Sequence, residues 1–391
     1  MDDERFPRAC KRLAGGVLET ADVISLFDDK KEANRADQKA FQTLMQHLRE
    51  IDEHDNTVIM VQVENEIGLL GDSRDGSAGA ERAFHAPVPD EFIEFFDTNW
   101  DTLHRDLREN LSKVNPTSSS SPPLLRKGKS WEKTFGVSKK TDELFMAYHY
   151  AKYVEPIAAA GKAAYNLPLY TNVWMNYVSA DADNEFPAVV GGGGEPGDYP
   201  SGGAVSNVFD IWMHFTPSLD FIAPDLYLND YTSTCTKYRH RNQPLFIPEQ
   251  RRDEYGARRI WVAYGSYQAL GVSPFGIDTL TPETCAFTRH YKLLSEVSQI
   301  VLEAQRRPGS SAGFYFDELA QGAVDQPKVF EFGQFEVRIE RCFVFGVPGP
   351  GSGMIIHLGG AGNRARFLLI GWGFQAVFKS LNRHSLSLIH I

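Results

Sequence analysis

The stretch TVIMVQVENEIG, residues 57–68, decides how the first half of the chain is interpreted. Its apolar run, residues 58–63, has no helical period and is typical of a strand buried on both faces in a parallel sheet. The run ends in Glu64-Asn65-Glu66, and packing explains poorly why an acid stands where such a strand ends. In a (β/α) barrel the carboxyl ends of the strands form the active site, so Glu66 is the first candidate for a catalytic acid.

The two residues before Glu66 are candidates for supporting roles. Asn65 is predicted to position Glu66. Glu64 lies two residues before Glu66, and in an extended strand the two side chains would share one face. Glu64 is therefore predicted to be a buried support or a second polar contact. The alternative for Glu66 itself is a salt-bridged acid that caps the following loop.

Bulk composition excludes several classes of protein. A hydrophobic content of 42% and a charged fraction of 23% are ordinary for a globular protein of 391 residues. The formal net charge of −11 argues against a nucleic-acid partner, which requires a basic face. No segment has the length of a membrane span, and the four cysteines show no metal-ligand spacing. The amino terminus has no apolar run of the signal-peptide type, and the compartment stays open.

Strand-like and helix-like segments alternate along the first two thirds of the chain, which predicts βαβ units and a parallel sheet. The predicted helices are residues 35–51, 141–165, 204–215 and 254–270. The predicted strands are residues 58–63, 167–174, 219–227, 244–249 and 272–278. A complete barrel needs eight strands. The pattern therefore indicates either a smaller open sheet or strands four to eight of a TIM-type (β/α) barrel.

Two inserts interrupt this pattern, and a different pattern follows it. Residues 115–129 are rich in Ser and Pro and predict a surface loop, whereas the glycine-rich residues 190–203 predict a flexible loop at the rim of a substrate cleft. Residues 329–345 then alternate apolar and polar side chains, as a half-buried antiparallel strand pair does, and residues 354–358 and 366–378 continue in that manner. We therefore predict an α/β domain over residues 1–320, either an open sheet or an incomplete barrel, and a small all-β domain over residues 321–391.

Four acids stand at the ends of predicted strands: Glu66, Asp225, Glu249 and Asp278. Glycoside hydrolysis needs two carboxyl groups across the scissile bond, one to protonate the leaving oxygen and one to attack the anomeric carbon or activate water. Glu66 and Glu249 are the two glutamates among the four. For Glu249 the alternative is a solvated charge run, because residues 249–253 read EQRRD.

The chain resembles the family 35 glycoside hydrolases, the β-galactosidases, in the string VQVENEIG and in PLYTNVW, GDYPSGG, SLDFIAPDLY, FIPEQRRD and FGID. The resemblance implies that residue 58 begins barrel strand four and that Glu249 ends strand seven. It further implies that Glu66 is the acid/base, that Glu249 is the nucleophile of a retaining mechanism, and that Asn65 contacts the sugar 2-hydroxyl. A β-galactoside is the implied substrate, and neither a metal nor an organic cofactor is implied.

Three more residues are predicted to contact the sugar. Asn172 and Trp174 end the second predicted strand, where a polar group and a stacking ring are expected. A purely structural place in the core is the alternative for Trp174. Asp225 and Tyr227 close the next strand, and Tyr227 is expected to touch the nucleophile or the sugar.

The chain departs from the family pattern at its front, where three barrel strands are missing before the helix predicted at residues 35–51. The sequence before this helix shows no clear pattern, and the chain is expected to be amino-terminally truncated. Open parallel edges would expose unpaired backbone groups, which offers a route to self-association. Two hypotheses follow: a β-galactosidase-type hydrolase, or a catalytically inactive homologue with at most weak carbohydrate binding.

Overall fold

A computed structural model describes residues 7–28, 31–112, 125–176, 193–319, 325–342, 348–381 and 389–390. The chain forms two compact units, Met1–Asp230 and Tyr231–Ile391. Its architecture is mixed α/β, followed by a β-rich carboxyl-terminal region. None of the helices in the described ranges is long and apolar enough to cross a bilayer.

The amino-terminal unit alternates helices with three parallel strands in the order β3-β4-β5. Its elements are β1 (Arg8–Arg12), β2 (Leu18–Ile24), α1 (Glu32–Asp52), β3 (Val61–Gln62), α2 (Ala78–His85), α3 (Asp90–Asn99), α4 (Arg105–Ser112), α5 (Trp131–Phe135), α6 (Lys139–Ala164), β4 (Leu169–Trp174), α7 (Phe209–Phe215) and β5 (Phe221–Asp225).

Helices α1, α6 and α7 and strands β3, β4 and β5 correspond to predicted segments, whereas strands β1 and β2 and helices α2, α3 and α5 were not predicted. The segment before α1 is an antiparallel hairpin, β1–β2, although its sequence showed no clear pattern. The helix predicted over residues 204–215 is confined to Phe209–Phe215, because residues 204–208 form bends and turns.

Strand β3 is much shorter than predicted, and this changes the geometry of the residues after it. Only Val61 and Gln62 pair with β4, and Glu64 and Glu66 have left-handed φ angles of 61° and 45°. An alternating pattern requires extended backbone. The inference that Glu64 and Glu66 share one face of a strand is therefore wrong.

Helices α1 and α6 pack closely along their lengths. A Cβ at Gly161 would lie 2.1 Å from the ring of Phe41, so only glycine allows this approach. The contact is supported by polar bonds between the helices, since Asn34 Nδ2 donates to the carbonyl of Tyr153 at 2.7 Å and Arg49 donates to the carbonyl of Ala164 at 3.1 Å.

An aromatic cluster forms the core of the helical layer. Phe92 of α3 meets Trp131 of α5 at a centroid distance of 5.0 Å, Tyr148 of α6 at 5.2 Å and Phe215 of α7 at 6.0 Å. Each large ring removes apolar surface from water, and the edge-to-face pairs add roughly 1 kcal/mol apiece. These contacts fix α6, which precedes β4.

Residues 199–203 of the glycine-rich loop are buried, which contradicts the prediction of a flexible rim loop for this part, whereas Gly194 and Glu195 are exposed. Tyr199 and Ser201 are fully buried. Ser201 and Leu69 exchange both backbone hydrogen bonds, at 2.9 and 3.0 Å, and the amide of Gly71 donates to the carbonyl of Gly197 at 2.8 Å. We call residues 197–207 the clamp segment, because they hold the chain that follows Glu66. Residues 190–192 of the predicted loop lie outside the described residues, as do residues 115–124 of the Ser/Pro-rich loop.

The carboxyl-terminal unit begins with two parallel strands and ends in a pair of antiparallel sheets. Its elements are α8 (Tyr231–Tyr238), β6 (Phe246–Gln250), α9 (Glu254–Tyr267), β7 (Gly271–Pro274), α10 (Phe287–Glu296), α11 (Ser298–Gln305), β8 (Ser311–Phe316), β9 (Lys328–Phe332), β10 (Phe335–Arg341), β11 (Gly351–Gly359), β12 (Arg366–Trp372), β13 (Phe374–Ser380) and β14 (Ile389–His390).

The antiparallel sheets, ordered β14-β13-β10-β9 and β12-β11-β8, share one apolar core. Its residues are Ala312, Phe314, Phe316, Phe332, Val337, Ile339, Ile355, Ala376 and Phe378. The predicted strand pair over residues 329–345 is confirmed as the β9–β10 hairpin, and β11 to β13 confirm the later strands. Strand β8 was missed, although Ala312, Phe314 and Phe316 show the two-residue period. The domain division at residues 320 and 321 stays a prediction.

Helix α9 covers one of these sheets and is tied to its surroundings by polar contacts. Arg259 pairs with Asp317, directly after β8, at 2.6 Å. Trp261 Nε1 donates to Nδ1 of the fully buried His290 in α10 at 2.9 Å, and desolvation by burial lowers the pKa of His290 to about 4.

Gly68→Ala tests the clamp segment. A Cβ at Gly68 would lie 2.4 Å from Cβ of Pro200, at a φ of 154° that L residues rarely adopt. Because the clash involves a rigid ring and backbone, we expect a loss of about 2–3 kcal/mol in the free energy of unfolding, measured by urea denaturation. Gly194→Ala is the matched control, since nothing lies within 4 Å of its Cβ, and it should change stability by less than about 0.5 kcal/mol. Equal effects of the two variants would contradict the clamp.

Candidate functional site

Polar side chains from three neighbouring strands meet at the carboxyl edge of the β3-β4-β5 sheet. Gln62 ends β3, Asn172 and Trp174 stand in the last three residues of β4, and Asp225 ends β5, where it is the register partner of Trp174. Asn172 and Asp225 are each 2% exposed. In parallel α/β sheets ligands bind outside the carboxyl ends of the strands, which makes this edge the candidate site.

The side chain of Asn172 connects all three strand ends. Its Oδ1 accepts from Gln62 Nε2 at 3.1 Å and from the backbone amide of Glu66 at 2.9 Å. Its Nδ2 donates to Asn65 Oδ1 at 3.1 Å and to Asp225 Oδ2 at 2.8 Å. Every donor and acceptor of this buried amide is thus used, and the orientation of the amide follows from its partners.

Glu66 is held in place through its backbone. The hydrogen bond from its backbone amide to Asn172 Oδ1 and its left-handed φ of 45° turn the chain out of the direction of β3. A carboxylate oxygen of half-buried Glu66 lies within 4.8 Å of one of Asp225. Two ionised carboxylates at that separation repel each other by roughly 3 kcal/mol at the effective dielectric of a partly buried site. A proton or a bound hydroxyl group between them would relieve this repulsion.

Asn65 and Glu64 lie on either side of this arrangement and differ in their surroundings. Asn65 is exposed, and its Oδ1 accepts from Asn172 and, at 3.2 Å, from Gln62. Glu64 is also exposed, yet desolvation and the negative charge of Asp37 in α1 raise the pKa of its carboxyl group. Desolvation and the charge of Asp37 in α1 therefore influence the pKa of Glu64, whereas Asn65 is hydrogen-bonded to Asn172.

Two predicted sugar contacts, Trp174 and Tyr227, are half-buried. Trp174 is the last residue of β4, and its Nε1 is buried without a hydrogen-bond partner in the part of the chain that the structure describes. An indole with an unused donor and partial exposure matches a binding residue better than a core residue, whose N–H is usually bonded. Tyr227 follows β5 by two residues.

Glu249 belongs to the carboxyl-terminal unit and is the fourth of the five residues of β6. The run EQRRD, which begins at Glu249, is not a solvated charge run. Gln250 is buried and accepts from the hydroxyl of Tyr231 at 2.8 Å, while Arg251 pairs with Asp253. Asp253 in turn caps α9 by accepting from the amide of Gly256 at 2.9 Å. Half-buried Glu249 is the residue before the last of β6. The hydrogen bond of Gln250 and the contacts of Arg251 and Asp253 fix the end of this strand. Asp278, the fourth acid considered, is exposed in a 3₁₀ turn.

Sequence patterns did not identify every member of the cluster. Gln62 was missed, because a Gln inside a strand has no signature of its own. Asp225 was predicted as an acid at a strand end. Its hydrogen bond to Asn172 was not predicted, because the two residues are 53 positions apart in the sequence. The period and position of the three strands could have indicated both, since neighbouring parallel strands end at one edge.

Within the amino-terminal unit the cluster offers a metal ion few ligands. Glu66 and Asp225 supply carboxylate oxygens, whereas the amide oxygens of Asn65 and Asn172 already accept hydrogen bonds. Metal sites built from protein usually use three or more ligands. The amides and carboxylates of this cluster can exchange hydrogen bonds with the hydroxyl groups of a polar organic ligand.

Comparison with known proteins adds one finding about the carboxyl-terminal unit. Residues 287–391 match the family described as a domain of unknown function, DUF5597. The match spans α10, α11 and strands β8 to β14, and it does not include the residues of the strand-end cluster. A search of curated proteins found no match.

Glu66→Asn tests whether the position and backbone conformation of Glu66 lower the stability of the fold. Asn adopts left-handed backbone more readily than Glu, and the change removes one of two close carboxylates. We expect the free energy of unfolding, from urea denaturation at pH 7, to rise by about 1–2 kcal/mol.

Glu64→Asn is the matched control, because Glu64 has a similar φ of 61° and is not part of the carboxylate pair with Asp225. It should gain about 1 kcal/mol or less from relief of backbone strain alone. A loss of stability in Glu66→Asn, or equal gains in both variants, would show that the carboxylate pair is not strained.

Proposed function

We propose that the chain is a retaining glycoside hydrolase of the β-galactosidase type, with Glu66 as acid/base and Glu249 as nucleophile. The observation that supports it most is the cluster at the strand ends, in which buried Asn172 holds the backbone of Glu66 and joins it to Asp225. A carboxylate, two amides and a half-buried indole at the carboxyl edge of a parallel sheet are the groups that bind and cleave a sugar. The resemblance of the VQVENEIG string to the family 35 glycoside hydrolases supports the same proposal.

In this proposal Glu66 first acts as an acid. It gives its proton to the glycosidic oxygen while the carboxylate of Glu249 attacks the anomeric carbon, so the carbon–oxygen bond breaks and a covalent glycosyl ester forms. Glu66, now ionised, takes a proton from water, and that water displaces Glu249 with retention of configuration. This chemistry needs the two carboxyl groups about 5 Å apart.

The neighbouring residues bind and orient the sugar. The exposed amide of Asn65 is proposed to contact the 2-hydroxyl, where a hydrogen bond strengthens in the transition state. Asn172 is proposed to act mainly by fixing Asn65 and the Glu66 backbone, because its own four bonds are used. Trp174 is proposed as a stacking surface, Tyr227 and Glu64 as further polar contacts.

The proposed fold is the carboxyl-terminal part of a (β/α) barrel. Strands β3 to β5 are parallel in one sheet, β6 and β7 are parallel in another, and helices separate the successive strands, which supports the assignment to barrel strands four to eight. Glu66 and Glu249 would then follow strands four and seven. Self-association through the open edges of such a barrel belongs to the same proposal.

The decisive experiment uses the full chain with 2,4-dinitrophenyl β-D-galactoside, whose leaving group needs no protonation. Glu249→Ala should lower turnover by more than about 10³-fold, and added azide should restore it with α-galactosyl azide as product. Glu66→Ala should keep a fast first step on this substrate, lose about 10²–10⁴-fold on a phenyl galactoside, and give β-galactosyl azide.

The stereochemistry of the azide product separates the two roles, which loss of activity alone does not. Glu254→Ala is the matched control, since Glu254 is an exposed acid five residues from Glu249 that pairs with Arg289, and it should keep wild-type turnover. A folded wild-type chain without turnover on any aryl glycoside would support the inactive homologue. In that case, binding of galactose measured by calorimetry would decide whether weak carbohydrate binding remains.

A further inference from the structure

Glu143 in α6 is a fully buried carboxylate outside the strand-end cluster. Its Oε1 accepts from the hydroxyl of Tyr199 at 2.5 Å, and its Oε2 accepts from Asn207 Nδ2 at 2.6 Å. The ammonium group of Lys140, one turn earlier in α6, lies 3.9 Å away. A buried charge of this kind is costly, and apolar residues of similar volume often serve stability better.

The two hydrogen-bond donors of Glu143 both belong to the clamp segment, residues 197–207. Tyr199 lies between Gly197 and Ser201, whose backbone bonds hold Gly71 and Leu69. Ser201 Oγ also donates to the carbonyl of Ser73 at 2.6 Å. Glu143 is thereby linked to the chain that follows Glu66.

Asn207 extends the same network to strand β4. Its Oδ1 accepts from Asn176 Nδ2 at 2.8 Å, and Asn176 lies two residues after Trp174. The carboxylate of Glu143 is therefore linked to the segment after Glu66 through Tyr199 and its neighbours Gly197 and Ser201, and to the segment after Trp174 through Asn207. These are two of the strand exits that form the candidate site.

Burial is the largest influence on the charge of Glu143. Desolvation raises the pKa of its carboxyl group to about 7, against the lowering effects of Lys140 and of the hydrogen bonds from Tyr199 and Asn207. The charge of Glu195 raises this pKa further. The closed clamp therefore holds the neutral acid more firmly than the ionised carboxylate, although the carboxylate accepts two hydrogen bonds.

The sign of the resulting pH dependence follows from linkage. When the clamp segment opens and water reaches Glu143, its pKa returns toward the ordinary 4.5. Below pH 4.5 both states hold the proton, whereas between pH 4.5 and about 7 the open state loses it first. Opening therefore becomes easier as the pH rises through this window, by up to ~300-fold for full exposure, and stays constant above it.

We propose that Glu143 is a proton-sensing positioning residue, whose ionisation loosens the hold of the clamp segment on the strand exits around Glu66 and Trp174. Its effect on catalysis rests on the hydrolase function proposed above, whereas its effect on the clamp does not. An enzyme built in this way is tightest, and best ordered for reaction, on the acidic side of neutrality.

Another group on α6 titrates in the opposite sense. Desolvation lowers the pKa of His149 to about 3, so His149 stabilises the fold above its ordinary 6.5 and this contribution is lost as the pH falls. Global stability therefore mixes two trends between pH 4.5 and 6.5. Local opening of the clamp segment, compared with a Glu143 variant, separates them.

Hydrogen exchange of the whole chain between pH 4.5 and 8.5 tests the clamp directly. Protection factors of peptides covering residues 67–74 and 197–207, corrected for intrinsic exchange, should fall by roughly 100-fold or more up to pH 7 in the wild type. In Glu143→Gln they should be flat, because Gln accepts from Asn207 and donates to Tyr199 without titrating. Glu155→Gln is the matched control on the same helix, where Glu155 accepts from Ser218, and it should keep the wild-type curve.

Tyr199→Phe provides a second variant in case Glu143→Gln does not fold. It removes a donor to the carboxylate, so the fall in protection should move to higher pH. A flat wild-type curve, a Glu143→Gln curve with the wild-type slope, or an unchanged midpoint in Tyr199→Phe would each overturn the proposal.

Turnover of the aryl galactoside over the same pH range connects the clamp with catalysis. The ratio of Glu143→Gln to wild-type turnover should rise between pH 4.5 and 7 and then level, whereas a merely structural role would change it equally at all pH values. If hydrogen exchange behaves as expected and no chain turns over substrate, the clamp proposal stands and the hydrolase proposal fails. A pH-independent ratio with normal turnover overturns the catalytic part of the clamp proposal.

Discussion

A single amide side chain, that of Asn172, keeps the candidate site together. The three strands β3, β4 and β5 end at one edge because parallel strands in this sheet point the same way. Their polar side chains would still be independent of one another without a common partner. Asn172 accepts from Gln62 and from the Glu66 backbone and donates to Asn65 and Asp225, so its orientation sets theirs. A buried amide with all its partners is rigid, because each alternative orientation leaves polar atoms unsatisfied.

That rigidity matters because the chain around Glu66 is under strain. Glu64 and Glu66 both take left-handed backbone that neither residue favours. The hydrogen bond from the backbone amide of Glu66 to Asn172 fixes Glu66 from one side. The two backbone hydrogen bonds between Leu69 and Ser201 fix the following chain from the other side. A strained turn that is held at both ends presents its side chain in one position. Strain of this kind persists where the surrounding structure determines the conformation, which is typical of functional sites.

Periodic patterns predicted part of the elements and part of the site. The parallel strands β3 to β5, the parallel pair β6–β7, helices α1, α6 and α9, and the β9–β10 hairpin follow from hydrophobic period and turn residues, whereas the β1–β2 hairpin, strand β8 and helices α2, α3 and α5 were not predicted. The left-handed turn at Glu64 and Glu66 could not be predicted, because it follows from bonds to residues more than a hundred positions away. The glycines of the clamp segment suggested mobility, yet a Cβ at Gly197, Gly202 or Gly203 would lie less than 3 Å from backbone atoms of Asp72, Met146 or Ile67. Composition alone does not distinguish a flexible glycine from a close-packed one.

Two groups of the amino-terminal unit that cost stability, Glu66 and Glu143, are connected with each other, and this connection is an argument for function. Glu66 combines left-handed backbone with a neighbouring carboxylate, and Glu143 is a buried acid where an apolar residue would be tolerated. The clamp segment connects the two through Tyr199 and the backbone around Ser201. A strained or destabilised site is a recurrent requirement of activity, and its relief usually costs function. Local rules that are broken together, around one strand edge, therefore support the binding or catalytic role that we propose for this edge.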